Sequence, residues 1–421
     1  MQDTRPVSGF SPYNARPSIT LTGIIVQLPL LFLKRREERR IQAGHPWVFS
    51  NEVDVERSPL SAFEPGTQVC VLSHAEQPLG SAYVNPATLI CARMVSRQAN
   101  RPLDEALIRT RLQRALDLRE RMGVGPYYRL VYGESDGLPG LVVDRFGTTL
   151  SVQIATAGMQ ALFEPLMAAL EKVVQPAQIV LRNDGIGRQL EGLDESVQWL
   201  RGNADEPVEI VENTARFSIW PGSGQKTGWF YDHRLNRARV AAWSKQARIL
   251  DLCSYRGAFG VQAALGGAAS VLCVDSSKEA LEGAIEAATL NGCSDRVSSE
   301  RGDVFEVLRS LYERGERFDL VIADPPAFAR RKRDLKSAQE AYRRLNRLAM
   351  RVLVDDGLLF SASCSSHLDS AGLKGVLRHA ASAAQRQIVL LETGHQGPDH
   401  PIHPAMPESA YLKAFLGRVS S

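Results

Sequence analysis

The feature that most constrains the fold is a series of four short apolar runs in the last third of the chain. They fall at 249–260, 271–275, 319–328 and 358–366, and each ends in polar or glycine-rich residues. Helical patterns separate them, as expected for parallel strands joined by crossover helices. In such sheets ligands bind beyond the carboxyl ends of the strands, where this chain places its Asp, Gly, Pro and Cys residues. We therefore expect a doubly wound α/β domain with a ligand site at that edge.

Two further domains are predicted ahead of it. A chain of 421 residues has room for about three domains of ~150 residues each. Residues 28–102 carry short β-type runs broken by turn residues, which predicts a small barrel or sandwich. Residues 103–218 begin with an amphipathic helix and continue as strand, strand, helix, strand, strand, which predicts a central α+β domain before the doubly wound domain at 219–421. Residues 1–27 are expected to be an N-terminal extension that need not be ordered.

Charge and cysteine usage exclude several classes of protein. The formal net charge is only +3, so charge alone does not indicate a nucleic-acid partner, although basic residues cluster at 34–40 and 330–336. The six cysteines form no CxxC pair and no His stands at metal-ligand spacing, which predicts no metal site and suits a reducing cytoplasm. The apolar stretch Ile19–Leu33 contains polar residues and is too short for a membrane span of ~20 residues. No membrane association is expected.

The turn after the first apolar run has the features of a ligand-binding loop. It contains Asp251, Gly257 and Gly260. A glycine here lets backbone approach a ligand closely, and the following helix offers its N-terminal amides. Loops of this kind often carry three alternating glycines, and here Cys253 and Tyr255 replace the first two. The alternative is an ordinary tight turn, which any α/β protein contains.

Two aspartates follow the next strands. Asp275 closes the second run, at the place where a carboxylate accepts the ribose hydroxyls of a nucleotide-type ligand about 20 residues beyond a glycine turn. The alternative is a charge that stabilises the start of a helix, and both roles are compatible. Asp303 follows a third short strand signal and is a candidate for a position beside an adenine, or else an exposed turn residue.

The sharpest local motif is Asp324-Pro325-Pro326. Two prolines directly after a buried strand cannot continue its hydrogen-bond ladder, so they force a rigid exit from the sheet. That exit holds the carboxylate and nearby carbonyls at the mouth of the site, as a planar, amine-bearing substrate requires. A strand terminator with a solvated carboxylate is the alternative, and the place of Asp324 in the series favours the functional interpretation.

Cys364 ends the next strand and is a candidate nucleophile. Cys253, Cys273 and Cys293 read as structural cysteines of a core, which is the common case. Cys364 differs because hydroxyl residues and His367 surround it at the carboxyl end of a strand. A thiol there can ionise and attack a substrate, provided that its pKa, ordinarily ~8.5, is lowered locally.

A basic loop follows the Asp-Pro-Pro motif directly. Its cations could contact a phosphate backbone, although most charge runs are simply solvated. The aromatic rings that follow, Phe328 and Tyr342, could stack on an unpaired base or pack a helix. The candidate RNA-binding residues are Arg330, Arg331, Lys332, Arg333 and Tyr342.

With these residues in place, the chain resembles the RlmI-like bacterial cytosine-5 methyltransferases of large-subunit (23S) rRNA, a branch of the class I methyltransferase fold. The matching segments are RIQAGHPWVFSNEV, QKTGWFYDHR, DLCSYRGAFG, ADPPAF, SCSS and DHPIHPAMPESAYLKAF. The first is similar to the opening of a PUA domain, a small RNA-binding barrel. The resemblance therefore implies an N-terminal PUA-type β-barrel, a central α+β domain and a C-terminal Rossmann-like class I methyltransferase domain.

The resemblance also implies roles for individual residues. The methionine part of S-adenosylmethionine would be enclosed by Lys226, Thr227, Asp232 and Arg234. The rest of the cofactor would be held by the turn Asp251–Gly257, including Ser254 and Tyr255, and by Asp275, Asp303 and Asp324. Asp324 would also orient the base that Cys364 attacks. Related cytosine methylases carry a second cysteine after their paired prolines, where this chain has Ala327, so the residue that removes the final proton stays open.

The predicted activity is transfer of a methyl group to C5 of a cytosine in large-subunit rRNA, through an adduct with Cys364. The target base would be unstacked, and the PUA-like domain would supply affinity through phosphate contacts. The alternatives are methylation of guanine N7 or another RNA base, which needs no nucleophile, and a non-catalytic RNA-binding assembly factor. A cytoplasmic protein, with a homodimer as one option for its assembly, is expected.

Overall fold

The computed structural model describes residues 27–203, 206–224, 227–329 and 331–421. The first sheet has the strand order β1-β3-β4-β5-β2. Its elements are β1 (Leu30–Phe32), α1 (Glu38–Gln42), β2 (Trp47–Val48), β3 (Gln68–Leu72), β4 (Pro78–Val84) and β5 (Ala92–Ser96). Aliphatic side chains from these strands enclose a small core of their own. The predicted β-rich domain at the start of the fold is thus present.

A second sheet of order β10-β9-β8-β7-β6 follows. Its elements are α2 (Glu105–Glu120), β6 (Tyr127–Tyr132), β7 (Leu141–Phe146), β8 (Thr149–Ile154), α3 (Ala157–Ala161), α4 (Phe163–Val174), β9 (Gln178–Asn183), α5 (Ile186–Leu190) and β10 (Ser196–Arg201). Asp104 begins α2, where its side chain accepts a hydrogen bond from the Leu107 amide. Helices α2 and α4 pack against each other over this sheet and share its core.

The strand count of this central region differs from the sequence prediction. Strands β8 (TLSVQI) and β10 (SVQWLR) were not predicted, although apolar and polar residues alternate in each, which is the pattern of a half-buried strand. The predicted last strand is instead a hairpin of β11 (Val208–Glu212) and β12 (Ala215–Ile219), which forms a separate two-stranded sheet. Its turn places Asn213 and Thr214 at φ 50° and 74°, conformations that close a tight hairpin.

The third sheet is the predicted doubly wound one, with order β15-β14-β13-β16-β17-β19-β18. Its elements are α6 (Arg234–Ala242), β13 (Arg248–Leu252), α7 (Ala258–Leu265), β14 (Ser270–Asp275), α8 (Lys278–Leu290), β15 (Val297–Arg301), α9 (Val304–Glu313), β16 (Phe318–Ala323), α10 (Leu335–Arg351), β17 (Leu353–Ser363), α11 (Ser370–Ala383), β18 (Gln387–His395) and β19 (Lys413–Ser420). Strands β13 to β17 run parallel, and β19 lies antiparallel between β17 and β18.

Helices cover both faces of this sheet, which explains the uninterrupted apolar runs of its strands. One core joins the sheet to α7, α8 and the hairpin β11–β12, and the other joins it to α9, α10 and α11. The central strands β13, β14 and β16 are buried along most of their length, so their polar side chains lie near their ends. Among the helices that the structure describes, none is long and apolar enough to cross a membrane.

Candidate active site

The polar ends of the parallel strands meet at one edge of the seven-stranded sheet. Strand β13 pairs with β14 on one side and with β16 on the other, so the crossovers diverge beside it. Ligands of doubly wound sheets bind in the crevice at such a point. The residues that follow these carboxyl ends are the predicted ones: the loop at 253–257, Asp275, Asp324 and Cys364.

The loop after β13 keeps a glycine-like path without the usual glycines. Cys253, Tyr255 and Gly257 have φ angles of 58°, 49° and 68°, so alternate residues are left-handed. A non-glycine residue pays a steric cost in that region, of about 1–2 kcal/mol each. At Gly257 a side chain is excluded outright, because a Cβ would lie 2.7 Å from the Cβ of Ala284. Two strained residues thus hold the shape that glycine adopts freely.

Asp251 lies under this loop and is buried. Its Oδ2 accepts a hydrogen bond of 2.9 Å from the Gly260 amide, which fixes the start of α7. Its Oδ1 is buried and has no hydrogen-bond partner among the described residues. Burial, opposed by the Gly260 hydrogen bond and reinforced by the nearby Asp324 carboxylate, raises the pKa of Asp251 to about 8. A positively charged ligand group beside Asp251 would favour the ionised form of this carboxyl and lower its pKa.

Asp275 and Asp303 terminate the next two strands differently. Asp275 holds the loop, since its Oδ2 accepts from the Tyr255 amide at 2.9 Å and its Oδ1 from the Ser277 amide at 3.0 Å. Each oxygen keeps a second lone pair, which a ribose hydroxyl can use. Asp303 is exposed and begins α9, where it accepts from the amides of Phe305 and Glu306.

Negative charge is concentrated around Cys253. Burial raises the pKa of its thiol first, and the carboxylates of Asp324, Asp275, Asp251 and Asp303 raise it further. A thiol in this position stays protonated, which is consistent with a structural role for Cys253. The same concentration of carboxylates suits a cationic ligand.

Asp324 has a partner that the sequence analysis missed. His233 is buried, and its Nε2 lies 3.2 Å from Asp324 Oδ1. The other ring nitrogen, Nδ1, lies 3.2 Å from Asn236 Nδ2, which also donates to the carbonyl of His395. Because an amide NH₂ group can only donate, Nδ1 is the acceptor and Nε2 carries the hydrogen that points at Asp324. The motif that contains His233, QKTGWFYDHR, was the available signal.

The residues predicted around the methionine part of the cofactor divide into two groups. Thr227 donates to Asp144 of β7, and Asp232 accepts a hydrogen bond of 2.5 Å from the Tyr411 hydroxyl. Arg234 is buried, donates to the carbonyl of Tyr127 and lies 3.7 Å from Glu212. The guanidinium of Arg234 therefore ties α6 to the central sheet and the hairpin. Lys226 lies outside the described residues.

The segment between β18 and β19 fastens the central sheet to this edge. Arg119 forms a two-pronged ion pair with Asp136 and donates to the carbonyl of Asp399 at 3.0 Å. Tyr132 donates to the carbonyl of Ser409 at 3.2 Å. A cavity of about 420 Å³ lies where the two parts meet, lined by Arg129, Gln153, Asp184, Gly185 and Tyr411.

Cys364 is half-buried and stands in a turn that is pinned from three sides. Ser363 donates to the hydroxyl of Tyr342 at 2.9 Å, and Ser365 donates to the carbonyl of Ala329 at 2.9 Å. Lys413, a second residue that the sequence analysis did not single out, donates to the carbonyl of Ser365. Since β16 and β17 are paired neighbours, with Ala323 opposite Ser361, Asp324 and Cys364 follow adjacent strands at the same edge of the sheet.

Tyr342 is fully buried and packs against Phe328, with 4.7 Å between the ring centroids. Its ring has no face open to a base, which favours packing over stacking. In the basic loop, Arg331 and Arg333 are exposed, and Arg333 has an ion pair at 3.8 Å with Asp334. Lys332 begins a short 3₁₀ turn that leads into α10. Arg330 lies outside the described residues. Within the described ranges, no group of three or more His, Cys, Asp or Glu residues is placed to hold a metal ion.

Comparisons with known proteins bear on both ends of the chain. Residues 165–418 match the family of S-adenosylmethionine-dependent methyltransferases, and residues 31–97 match the PUA-like domain family. Ribosomal RNA large subunit methyltransferase I of Erwinia tasmaniensis is 35% identical over 394 residues, covering 92% of this chain and 99% of its own. The protein of the same name from Shewanella denitrificans is 35% identical over 394 residues, covering 92% and 98%.

A solved structure agrees in fold. SMU.776, described as a methyltransferase and crystallised with SAH, superimposes with a TM-score of 0.81 at 20% identity, over 93% of this chain and 100% of its own. Together these matches confirm the predicted fold class and the predicted cofactor, S-adenosylmethionine. The bounds given above for the individual domains remain a prediction.

The residues at the carboxyl edge fit that cofactor. The buried Oδ1 of Asp251, which lacks a partner in the described part of the chain, is suited to a cationic donor such as the α-ammonium of S-adenosylmethionine. Asp275 is suited to the ribose hydroxyls, and the loop at 253–257 brings backbone between the two carboxylates.

Proposed function

Because the chain belongs to the ribosomal RNA large subunit methyltransferase I family of S-adenosylmethionine-dependent enzymes, we propose that it methylates C5 of a cytosine in large-subunit rRNA through an adduct with Cys364. The observation that carries the proposal is the position of Cys364. It is a half-buried cysteine that follows β17, and Asp324 follows the neighbouring parallel strand β16 at the same edge of the sheet. A methylation of a base nitrogen would give a thiol in that position no task.

The chemistry of cytosine explains why a thiol is needed. C5 is a poor nucleophile, because the aromatic ring gives it little carbanion character. Addition of the Cys364 thiolate to C6 forms a C–S bond and moves the electron pair of the C5–C6 double bond to C5, which can then attack an electrophile. The cofactor, when bound, supplies the methyl group on a sulfonium, which leaves as a neutral thioether. Loss of the C5 proton to a base then restores the double bond and expels the thiolate.

Asp324 would hold the base for this attack. Its carboxylate would face the N3 and 4-amino edge of the cytosine and accept a hydrogen bond from the 4-amino group, which orients the ring for attack at C6. The prolines at 325 and 326 fix its backbone, and His233 fixes its side chain through the contact at 3.2 Å. A rigid carboxyl of this kind loses little conformational entropy when the base binds.

The site has Cys364 but lacks the second cysteine that the two-cysteine cytosine methylases carry after their paired prolines. Ala327 follows the paired prolines where those enzymes carry their second cysteine. The attack therefore falls to Cys364, whose turn is fixed by Ser363 and Ser365. Cys253, held protonated by burial and its carboxylate neighbours, is no substitute nucleophile.

The RNA would be held outside the catalytic edge. Exposed Arg331 and Arg333 follow the Asp-Pro-Pro motif and can contact phosphates that flank the target. The barrel at residues 28–102 would add affinity and register. Such phosphate contacts make binding sensitive to salt without choosing a base.

The test is methyl transfer from labelled S-adenosylmethionine to protein-free large-subunit rRNA, followed by nucleoside analysis. Wild type should yield labelled 5-methylcytidine, and Cys364→Ala should yield none. Cys293→Ala is the matched control, because this buried cysteine lies behind α8, away from the edge. RNA that contains 5-fluorocytidine, which cannot lose a C5 proton, should trap a covalent complex through Cys364. Label on guanosine, or activity that survives Cys364→Ala, would reject the proposal.

A further inference from the structure

Lys413 lies beside the proposed nucleophile although it comes from the far end of the fold. It is the first residue of β19 and pairs with Ser363 in the antiparallel register of β17 and β19. Cys364 is therefore one residue from the cross-strand partner of Lys413. The whole side chain is buried, with 7% of the residue exposed.

The ammonium group is fixed by backbone carbonyls. Nζ donates to the carbonyl of Ser365 and, at 2.8 Å, to the carbonyl of Tyr411. These two acceptors occupy two of its three N–H bonds. Within the residues that the structure describes, no carboxylate forms an ion pair with Lys413. Burying a cation among neutral carbonyls destabilises the fold, so the position of Lys413 needs a physical explanation.

The charged groups around Lys413 supply one. Burial lowers the pKa of Lys413 to about 8, whereas the thiol of Cys364 and the carboxylate of Asp369 raise it. Coupling between two titrating groups is reciprocal. If ionised Cys364 stabilises the ammonium, the ammonium stabilises the thiolate by the same free energy.

The groups that face Cys364 from its other side act in the opposite direction. Burial raises the pKa of the Tyr342 hydroxyl on α10, and Cys364 and Asp324 raise it further, so this group is neutral. Asp324 is an acid at the end of the neighbouring strand. Neither group can stabilise a negative sulfur by charge. Lys413 is a cation that its hydrogen bond to the carbonyl of Ser365 places next to the turn.

We propose that Lys413 is a positioning residue whose positive charge favours the ionised form of Cys364, an inference that rests on the proposed function. Cys364 gives its proton to water, and the resulting thiolate forms a pair with the ammonium of Lys413. The thiolate is consumed when the C–S bond forms and regenerated when that bond breaks. The charge on Lys413 is unchanged at the end of the cycle.

The experiment measures the thiolate directly, without RNA. The rate of alkylation of Cys364 by iodoacetamide is followed by peptide mass spectrometry from pH 5.5 to 10, on the full-length protein and on Lys413→Met and Lys413→Arg. Melting temperature and SAH affinity report whether each variant keeps the fold. Wild-type Cys364 should have a midpoint below the ordinary thiol pKa of ~8.5. Lys413→Met should raise that midpoint by about one pH unit or more, and Lys413→Arg should keep most of the depression.

The outcomes separate this inference from the proposed function. A wild-type midpoint at or above ~8.5 overturns the inference, even if the Met variant does not fold. So does an unchanged midpoint in a folded Lys413→Met protein, which would leave Lys413 as a structural tie. If Cys364→Ala retains full methylation while the alkylation midpoint still shifts, the proposed function fails and the electrostatic coupling stands.

Discussion

His233 Nε2 lies 3.2 Å from Asp324 Oδ1, and the opposite ring nitrogen faces the amide of Asn236. The imidazole is therefore a fixed donor that aims the carboxyl at the mouth of the site. The end of β16 sets the position of Asp324. The orientation of its side chain, however, depends on His233, which lies 91 positions earlier in the chain. This edge of the sheet is thus built from two separate segments of the methyltransferase domain.

Removal of this donor should slow methyl transfer more than it weakens cofactor binding. In His233→Phe the ring remains but the hydrogen bond to Asp324 is lost, and a hydrogen bond to a charged group contributes ~1.5–3 kcal/mol. We expect kcat/KM for the rRNA to fall roughly 10- to 100-fold, with SAH affinity nearly unchanged. His233→Gln, which can donate to the same oxygen, is the control. Equal losses in both variants would contradict the donor role.

Cofactor binding should depend on pH through Asp251. Its pKa is raised to about 8 by burial, so the carboxyl is protonated at lower pH and must lose that proton to pair with an ammonium. The affinity for SAH should therefore increase as pH rises from 6 to 8, with a limiting slope of about tenfold per pH unit.

Titration calorimetry of SAH at pH 6, 7 and 8, in buffers of different ionisation enthalpy, would detect the released proton. Asp251→Asn should bind more weakly and lose this pH dependence. Asp303→Asn should keep the dependence, because that exposed residue only begins α9. A flat wild-type profile would show that Asp251 does not meet a cation.

The left-handed backbone of Cys253 predicts that this position tolerates substitution by glycine better than substitution by a residue with a branched Cβ. Glycine adopts φ near 58° freely, so Cys253→Gly should leave the free energy of unfolding within about 1 kcal/mol of wild type. Cys253→Val has a similar size but a branched Cβ, and should be destabilised by roughly 1–3 kcal/mol. Urea denaturation measures both. Equal stability of the two variants would mean that the backbone does not store strain there.

Tyr342 should act on the nucleophile rather than on RNA affinity. Tyr342→Phe keeps the ring and removes the hydroxyl that accepts from Ser363, so the turn around Cys364 loses one of its anchors. We expect a loss of about 1 kcal/mol in stability and a reduced methylation rate, with the Kd for rRNA unchanged. Phe328→Ala, which removes the contacting ring, tests the packing. A weaker affinity of Tyr342→Phe for rRNA would instead support a direct contact between Tyr342 and the RNA.

Sequence reasoning located what local patterns determine. Strand ends are read from apolar runs, so Asp275, Asp324 and Cys364 were placed at one edge before any contact was known, and the alternation of strands and helices gave the sheet. Contacts between residues far apart in the chain could not be predicted from the sequence. Lys413 meets Cys364 through the register of β17 with β19, and His233 meets Asp324 through the packing of α6 against the sheet. No periodicity encodes either contact.

Burial explains the remaining differences. Arg234 and Tyr342 have the residue types expected of ligand contacts, yet both are enclosed by neighbours that the chain supplies from other segments. Strands β8 and β10 contain polar residues at positions that the central sheet nevertheless accommodates. Propensity alone does not reveal such tertiary compensation.

The insertion of β19 between β17 and β18 imposes an order of events during synthesis. A nascent chain that has emerged as far as β18 already holds the complete cofactor loop, but β18 has no neighbour in the sheet and the turn at Cys364 lacks its third anchor. Only when residues 413–420 arrive do β17 and β18 become connected. The turn that holds Cys364 is therefore completed last, after the loop at 253–257, and in a chain that lacks residues 413–420 this turn is incompletely anchored.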